Sequence, residues 1–426
     1  MTIPKNTKVI LLSILIDLFG FTSIIPLFPS ILAFYEQNDN TFLFKKIYTS
    51  VIYFRSSILS APELLQNINQ TSSTVLNSSS ISLDSILLGG FLGSWFSLLQ
   101  CFSNPIYTKK FDSSKKAIIT SLSGSFLSTL IWYFSNNFSY FLLARTLGGI
   151  FEGNVSISIK ILGQIKDDVI KRKAMAMVGL CYSLAFVFGP LIGVKLAKYY
   201  VDFYKLPAIF SGFCCLMALF VIVLCYIDEA IEKSKFQDQK SNSQLAQQNS
   251  KLTKNLRFIY FLYLIGFSGI EFSLGFLFLQ KFNFSRAKQG RIYAVLGLLM
   301  ALMQGGYVRK NAGRNLAKKS SQILLISFIL LSFNNPNIVY FGLFLKAVAA
   351  AGMVPSFNFM ASKDGYDLAE LRSMGALARA IGPLLFCSVY WILGSSFCFN
   401  LGSLNMMVCS CLLKRYCDHV GKEKVA

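Results

Sequence analysis

Apolar residues in this chain gather into long runs separated by short polar, often basic, stretches. The runs lie near 9–35, 85–107, 117–134, 140–162, 174–196 and 208–227, and after a polar interval near 258–279, 291–308, 320–336, 338–360, 372–394 and 396–413. A helix that crosses a bilayer needs about 20 mostly apolar residues, with about 17 to 25 tolerated. The pattern therefore predicts an all-α integral membrane protein with twelve transmembrane helices in two sets of six. The ninth run, ILLISFILLSF, is short for a full crossing and stops at Asn334-Asn335-Pro336. Lys5 and Lys8 precede a first run too long for the core of a cleavable signal peptide, so it is expected to remain as the first span. Three regions follow: an N-terminal six-helix bundle over 1–227 with an outer loop at 36–84, a cytoplasmic linker at 228–257, and a C-terminal six-helix bundle with a short tail over 258–426. The linker sequence SKFQDQKSNSQLAQQNSKLTKN has too few apolar residues to fold alone and reads as a tether.

The chain also repeats itself. SLAFVFGPLIG at 183–193 is echoed by ALARAIGPLLF at 376–386, each with a Gly-Pro pair inside an apolar run. Proline removes a backbone donor and bends a helix, while glycine lets a neighbouring helix come close. LLQ at 98–100 resembles LMQ at 302–304, and both precede basic loops with paired lysines, Lys115-Lys116 and Lys318-Lys319. GFT at 20–22 echoes GFS at 266–268. Two similar halves built of membrane helices are a common plan for carriers.

Composition agrees with a membrane protein and narrows the function. Apolar residues make up 54% of the 426, and the mean hydropathy is +0.53. The net charge of +21 would suit nucleic acid if it were clustered, but the basic residues sit between the apolar runs. Most of the 41 Lys and Arg fall on one side of the bilayer if both termini are cytoplasmic, as the positive-inside rule expects. The sequons at Asn69 and Asn77 lie in the outer loop on that orientation, and are expected to carry glycans. Those at Asn137 and Asn283 lie too close to the membrane. The ten cysteines show no metal-ligand spacing with the one histidine, His419, so neither a disulfide framework nor a zinc site is expected, and no cofactor is implied.

Candidate chemistry lies in the charges inside the runs, which are costly in a bilayer and usually face protein or a wet cavity. Asp17 is in the first run and Glu271 in the seventh, and neither has a basic residue within a turn on its own helix. Arg145 and Glu152, in the fourth run, are two helical turns apart and so share a face, beside Gly148, Gly149 and Gly153. Lys346 and Arg379 lie in the tenth and eleventh. Burial and a neighbouring guanidinium act on a carboxyl's proton affinity in opposite senses, a balance that proton-coupled carriers use. Lys160 and Lys195 sit near run ends, where their stems can reach the interface.

The segments IDLFGFTSIIPLFP, LLGGFLGSWFSLLQ, LARTLGGIFEGNVS, SLAFVFGPLIG, FSGIEFSLGFL and RSMGALARAIGPL resemble the major facilitator superfamily, most of all its tetracycline-transporter-like drug:proton antiporter branch. The resemblance covers nearly all the chain except the linker and most of loop 36–84. It implies the superfamily fold of two pseudo-symmetric six-helix bundles. It also implies a role for Asp17, followed by Pro26 and Pro29, in proton exchange. Arg145 with Gly149 matches the fourth-helix motif linked to coupling. Gly189, Pro190 and Gly193 match the fifth-helix antiporter motif, a bend that restricts leak, and Gly382-Pro383 is its echo. The loop after the second run departs from the family pattern. Asp112 stands, but both glycines are gone, and Lys115 and Lys116 stand for arginines; lysine lacks the planar bidentate fork, so the resemblance implies a weakened cytoplasmic latch here.

These readings converge on a secondary carrier of small organic compounds, organic anions or drugs. Asp17 and Glu271 would exchange protons or another coupling ion, Arg145, Glu152 and Arg379 would line the substrate cavity, and Asp112, Gly189, Pro190, Gly193, Gly382 and Pro383 would gate it. The expected partners are a small-molecule substrate, the coupling ion and the lipid of a plasma or internal membrane, not nucleic acid. A receptor or scaffold that keeps the fold without net transport is the alternative, motivated by the altered loop at 108–116. An enzyme has little support, because no nucleophile-plus-base arrangement stands out.

Overall fold

The computed structural model describes residues 4–24, 27, 31–32, 34–35, 38–39, 41–59, 83–111, 113–197, 204–227, 250–284 and 286–423. Asp112, Asn69 and Asn77 lie outside the described residues. Helices follow one another along the chain: α1 (Lys5–Ser23), α2 (Phe42–Leu59), α3 (Leu83–Lys110), α4 (Ser114–Tyr133), α5 (Phe138–Phe151), α6 (Asn154–Gly163), α7 (Asp168–Ala197), α8 (Lys205–Cys225), α9 (Ser250–Phe276), α10 (Arg286–Met303), α11 (Arg314–Leu331), α12 (Pro336–Lys363) and α13 (Leu368–Glu423). π-helical turns at Leu277–Lys281 and Gln304–Val308 extend α9 and α10. Among the described residues there is no strand, and seven helices are long and apolar enough to cross a bilayer.

The helices track the apolar runs, with four informative differences. The loop expected at 36–84 contains α2, whose Phe44 and Val51 pack into a buried cluster with Tyr35, Phe138 and Phe141. Helix α9 begins at Ser250, inside the stretch 228–257 expected to be linker, because Lys251, Lys254 and Asn255 sit on a turn that leads directly into the apolar LRFIYFLYLIGF. The fourth run is not one helix but two, α5 and α6, parted at Glu152 and Gly153. The final run continues as helix to Glu423, since the basic tail is rich in residues that tolerate helix well. The boundary expected between 394 and 396 is real, however: Gly394 has φ 86° and interrupts α13 there, a left-handed conformation open to glycine.

The internal repeat becomes a set of matched contacts. In the earlier part of the chain the Thr22 hydroxyl donates to the Ala185 carbonyl at 2.8 Å. In the later part Ser268 donates to Ala378 at 3.4 Å. Each acceptor lies one turn before a Gly-Pro pair, and each glycine is where the helices meet. A Cβ on Gly189 would strike Thr22, one on Gly193 would strike the Ser23 carbonyl, and one on Gly382 would strike Ser268 and the Ile265 carbonyl. Ser128 donates to the Ala144 carbonyl at 2.7 Å, and Ser327 to the Gly342 carbonyl at 2.8 Å. The paired lysines also match. Lys115 donates to the carbonyls of Val223 and Tyr226 at 2.9 and 2.8 Å, covering the last carbonyls of α8. Lys318 reaches Asp418 in the last turns of α13 at 2.9 Å. Glycine and serine suit these seams because in lipid the helices associate through close packing and interhelical hydrogen bonds.

Fewer contacts join the two parts. Gln100 of α3 accepts from Arg379 of α13 at 3.2 Å, and Gln304, its counterpart in the repeat, accepts from Ser183 of α7 at 2.6 Å. At the end where α6 leads into α7, Asp168 pairs with Lys363. Beside it Arg172 donates to the Lys310 carbonyl at 3.1 Å and lies 4.8 Å from the Phe359 ring, and Ser362 donates to the Gly163 carbonyl at 2.6 Å.

Candidate functional site

The break between α5 and α6 has a local cause. Glu152 has φ −72° and ψ 63°, an inverse γ-turn, and the Gly153 N–H donates to the Phe151 carbonyl at 2.7 Å. Ser121 of α4 repairs the gap. Its hydroxyl donates to the Phe151 carbonyl at 2.6 Å and accepts from the Gly153 N–H at 3.0 Å. The break is also wedged sterically. Phe151 occupies the space a Cβ on Gly124 would take, and the Tyr107 ring lies 3.0 Å from where one on Gly153 would sit. Irregular backbone at membrane depth survives only where protein or a cavity supports it, and interrupted helices commonly line binding sites in carriers. Glu152 sits at that interruption, so the expected continuous helical face shared with Arg145 is not formed. The two groups remain in electrostatic contact nonetheless.

Asp17 is 4% exposed. Asn154, the first residue of α6, donates to its Oδ2 at 2.9 Å, and the Cys215 thiol approaches its Oδ1 at 3.8 Å. Ser158, one turn on, donates to Asn154 Oδ1 at 3.4 Å, which fixes the carboxamide's orientation. Asp17 and Glu152 are themselves within electrostatic reach of one another. Arg145 places its guanidinium 4.5 Å from the centre of the Phe96 ring, a cation–π arrangement that holds a desolvated cation.

From the later part of the chain, α13 supplies Arg372 and Arg379. Arg372 donates to the Tyr182 hydroxyl at 3.3 Å and is within electrostatic reach of Glu152. Arg379 is held by Gln100. Tyr182 and Tyr260 lie within reach of both arginines. Glu271 stands apart from this group. Its partner is Lys346 of α12, whose ammonium also lies 5.0 Å from the Phe267 ring. The partner absent from Glu271's own helix is thus provided by another.

The structure therefore groups Asp17, Glu152 and Arg145, with Arg372 within electrostatic reach of Glu152, leaves Arg379 connected to the group, among the described residues, only through Arg372, and places Glu271 in a separate ion pair. Gly189, Pro190, Gly193, Gly382 and Pro383 lie in the helix seams described above. Sequence reasoning missed Arg372, Asn154 and Tyr182. Arg372 lies at the edge of its apolar run and looks like a loop charge. Its spacing of two turns from Arg379 was the available signal. All ten cysteines are free thiols, and among the described residues no cluster of His, Cys, Asp or Glu could hold a metal ion.

Comparison with known proteins supplies the family. The family model described as Major Facilitator Superfamily matches residues 10–386. Major facilitator superfamily domain-containing protein 10 of Mus musculus is 31% identical over 431 residues, covering 93% of this chain and 89% of the relative. The Homo sapiens protein of that name is 31% identical over 435 residues, covering 94% and 90%. The motif segments quoted above resemble this same protein, and these matches bear the resemblance out. The crystal structure of the human organic anion transporter MFSD10 (TETRAN) superposes with a TM-score of 0.80 at 28% identity, covering 96% of this chain and 99% of that one. The proton:xylose symporter XylE superposes at 0.63 with 11% identity over 96% of this chain and 95% of its own, which shows a common fold. With a family model over most of its length, two relatives matched nearly end to end, and helices that track its apolar runs, the chain belongs to the major facilitator superfamily of membrane transporters.

Proposed function

We propose that the chain is a secondary carrier of small organic compounds, organic anions or drugs, working by proton-coupled alternating access. Twelve spans would form two six-helix bundles, 1–227 and 258–426, joined by the stretch 228–257, with both termini cytoplasmic and glycans on Asn69 and Asn77. One observation carries the reading: acids of the earlier part of the chain and arginines of both parts gather in the protein interior around an interrupted helix. Charges in that setting are expensive and are kept for ion or substrate pathways. Asp17 and Asn154 form a seat for a coupling proton, and Arg145, Glu152 and Arg379 surround the substrate. The Gly-Pro bends at Gly189, Pro190, Gly193, Gly382 and Pro383, together with Asp112, serve gating. The organic anion transporter to which the chain is similar, and the surplus of arginines over acids in the group, favour an anionic cargo. Glu271, paired with Lys346, is the second residue assigned to proton exchange.

The test is transport in proteoliposomes. A pH gradient should drive accumulation of an aromatic carboxylate, and Asp17→Asn should uncouple that movement from the gradient while leaving exchange at equal pH. Accumulation by Asp17→Asn at the wild-type level would remove Asp17 from coupling. Binding of the carboxylate with no accumulation under any imposed gradient would favour the non-transporting receptor instead.

A further inference from the structure

The arginines of α13 lack an adequate counter-ion. Arg379 makes no ion pair among the described residues; its direct hydrogen-bond partner is the neutral Gln100. Arg372 is 8% exposed, donates to a neutral hydroxyl, and its buried Nε has no partner. A buried guanidinium whose donors are unfilled is costly unless an anion completes it. The two residues are seven apart, two turns on one face of the helix; Arg372 holds the Tyr182 hydroxyl, and Tyr260 is within electrostatic reach of both. Glu152 is the acid within electrostatic reach of Arg372 across the two parts of the chain, with no ion pair between them among the described residues. It is already shared with Arg145. Counting Asp17 and Glu152 against Arg145, Arg372 and Arg379 leaves one positive charge unmatched.

We propose that Arg372 and Arg379 form the seat for the anionic group of the substrate, an aromatic carboxylate, and that Glu152 competes with that group for Arg372. The inference rests on the carrier reading above and sharpens it. The planar fork of Arg372 takes a carboxylate through two parallel N–H donors, and the half-buried Tyr182 that Arg372 holds offers its ring to an aromatic body. Arg145 does not belong to the seat, since Phe96 and Glu152 occupy it. A carboxylate seated on Arg372 takes the guanidinium charge that otherwise acts on Glu152, which links occupancy of the seat to the interrupted helix that bears Glu152.

The test uses the full-length protein in detergent, with thermal stabilisation and equilibrium binding measured for benzoate, phenylacetate and naphthoate, each beside its uncharged amide. At least one carboxylate should stabilise the wild type and its amide should not. Arg372→Gln should bind that carboxylate at least tenfold more weakly. Arg372→Lys, which keeps the charge without the fork, should fall between. Glu152→Gln, by removing the competitor, should bind it severalfold more tightly, a gain that a merely structural residue would not give. If Arg372→Gln does not fold, the Lys variant and Glu152→Gln decide. Wild-type affinity in either Arg372 variant, or unchanged or weaker binding in Glu152→Gln, overturns the proposal while leaving the carrier reading intact. If no carboxylate stabilises the wild type, the anion-carrier reading itself fails and the seat falls with it.

Discussion

Ser121 and Ser13 are both completely buried serines on helices, yet replacing each by alanine should have opposite effects. The Ser121 hydroxyl closes the break between α5 and α6 by donating to the Phe151 carbonyl and accepting from the Gly153 N–H. The Ser13 hydroxyl is buried with no partner. Removing Ser121's hydroxyl strips one bond from each of two backbone groups, although those groups keep their 2.7 Å bond to one another across the γ-turn. A buried polar group left short of a partner costs about 1–3 kcal/mol. With the γ-turn bond retained, the lower half of that range applies to Ser121→Ala, about 1–2 kcal/mol, or roughly a five- to thirty-fold loss in the folding equilibrium. Ser13→Ala relieves an unsatisfied hydroxyl and should leave stability unchanged or raise it by up to about 1 kcal/mol. Alanine's better helix propensity helps both variants equally, so the difference between them isolates the stitch. Unfolding in mixed micelles titrated with sodium dodecyl sulfate, followed by intrinsic fluorescence, measures it. Equal midpoints for the two variants would show that the break is not held by Ser121 and would refute the reasoning.

The Gly-Pro seams and the separate ion pair give two more expectations. Gly189→Ala and Gly382→Ala each place a methyl into an opposing helix and should cost about 1–3 kcal/mol by overpacking, whereas Gly93→Ala, with nothing within 4 Å, should be neutral in the same titration. Lys346 has 6% of its side chain exposed against 41% for Glu271, so Glu271→Gln strands the more deeply buried charge. It should destabilise by about 3 kcal/mol and by more than Lys346→Met does. The reverse order would mean that the pair is solvated from the lysine's side.

Much of this was legible in the sequence for identifiable reasons. Span positions follow from hydropathy, because lipid permits little else. The echoes GFT and GFS, LLQ and LMQ, and the two Gly-Pro pairs were each weak as text, but Thr22 and Ser268 make the same bond beside the two Gly-Pro pairs, and Gln100 and Gln304 each accept a bond from the other part of the chain. The lysines that replace arginines after the second run looked like a weakened latch. Lys115 proves to be occupied with the end of α8, a role visible only once the turn is folded against that helix. The interruption at Glu152 was hidden because its cause is not local. It depends on Ser121, Gly124 and Tyr107, which come from neighbouring helices. Partners brought by other helices, Lys346 for Glu271 and Asn154 for Asp17, were likewise beyond the reach of an argument confined to one span.

The duplicated stitches have a mechanical consequence. Each is closed between helices of the same portion of the chain, so tilting one portion against the other leaves all of them intact. What must be exchanged is the junction between the portions: the packing of α3 against α13, the Asp168–Lys363 pair, and single hydrogen bonds such as Gln100 with Arg379 and Gln304 with Ser183, worth about 1 kcal/mol each. A voltage of 100 mV acting on one transported charge contributes about 2.3 kcal/mol. That is about the worth of two such bonds, so any bias it exerts falls on the crossing links and not on the stitched portions.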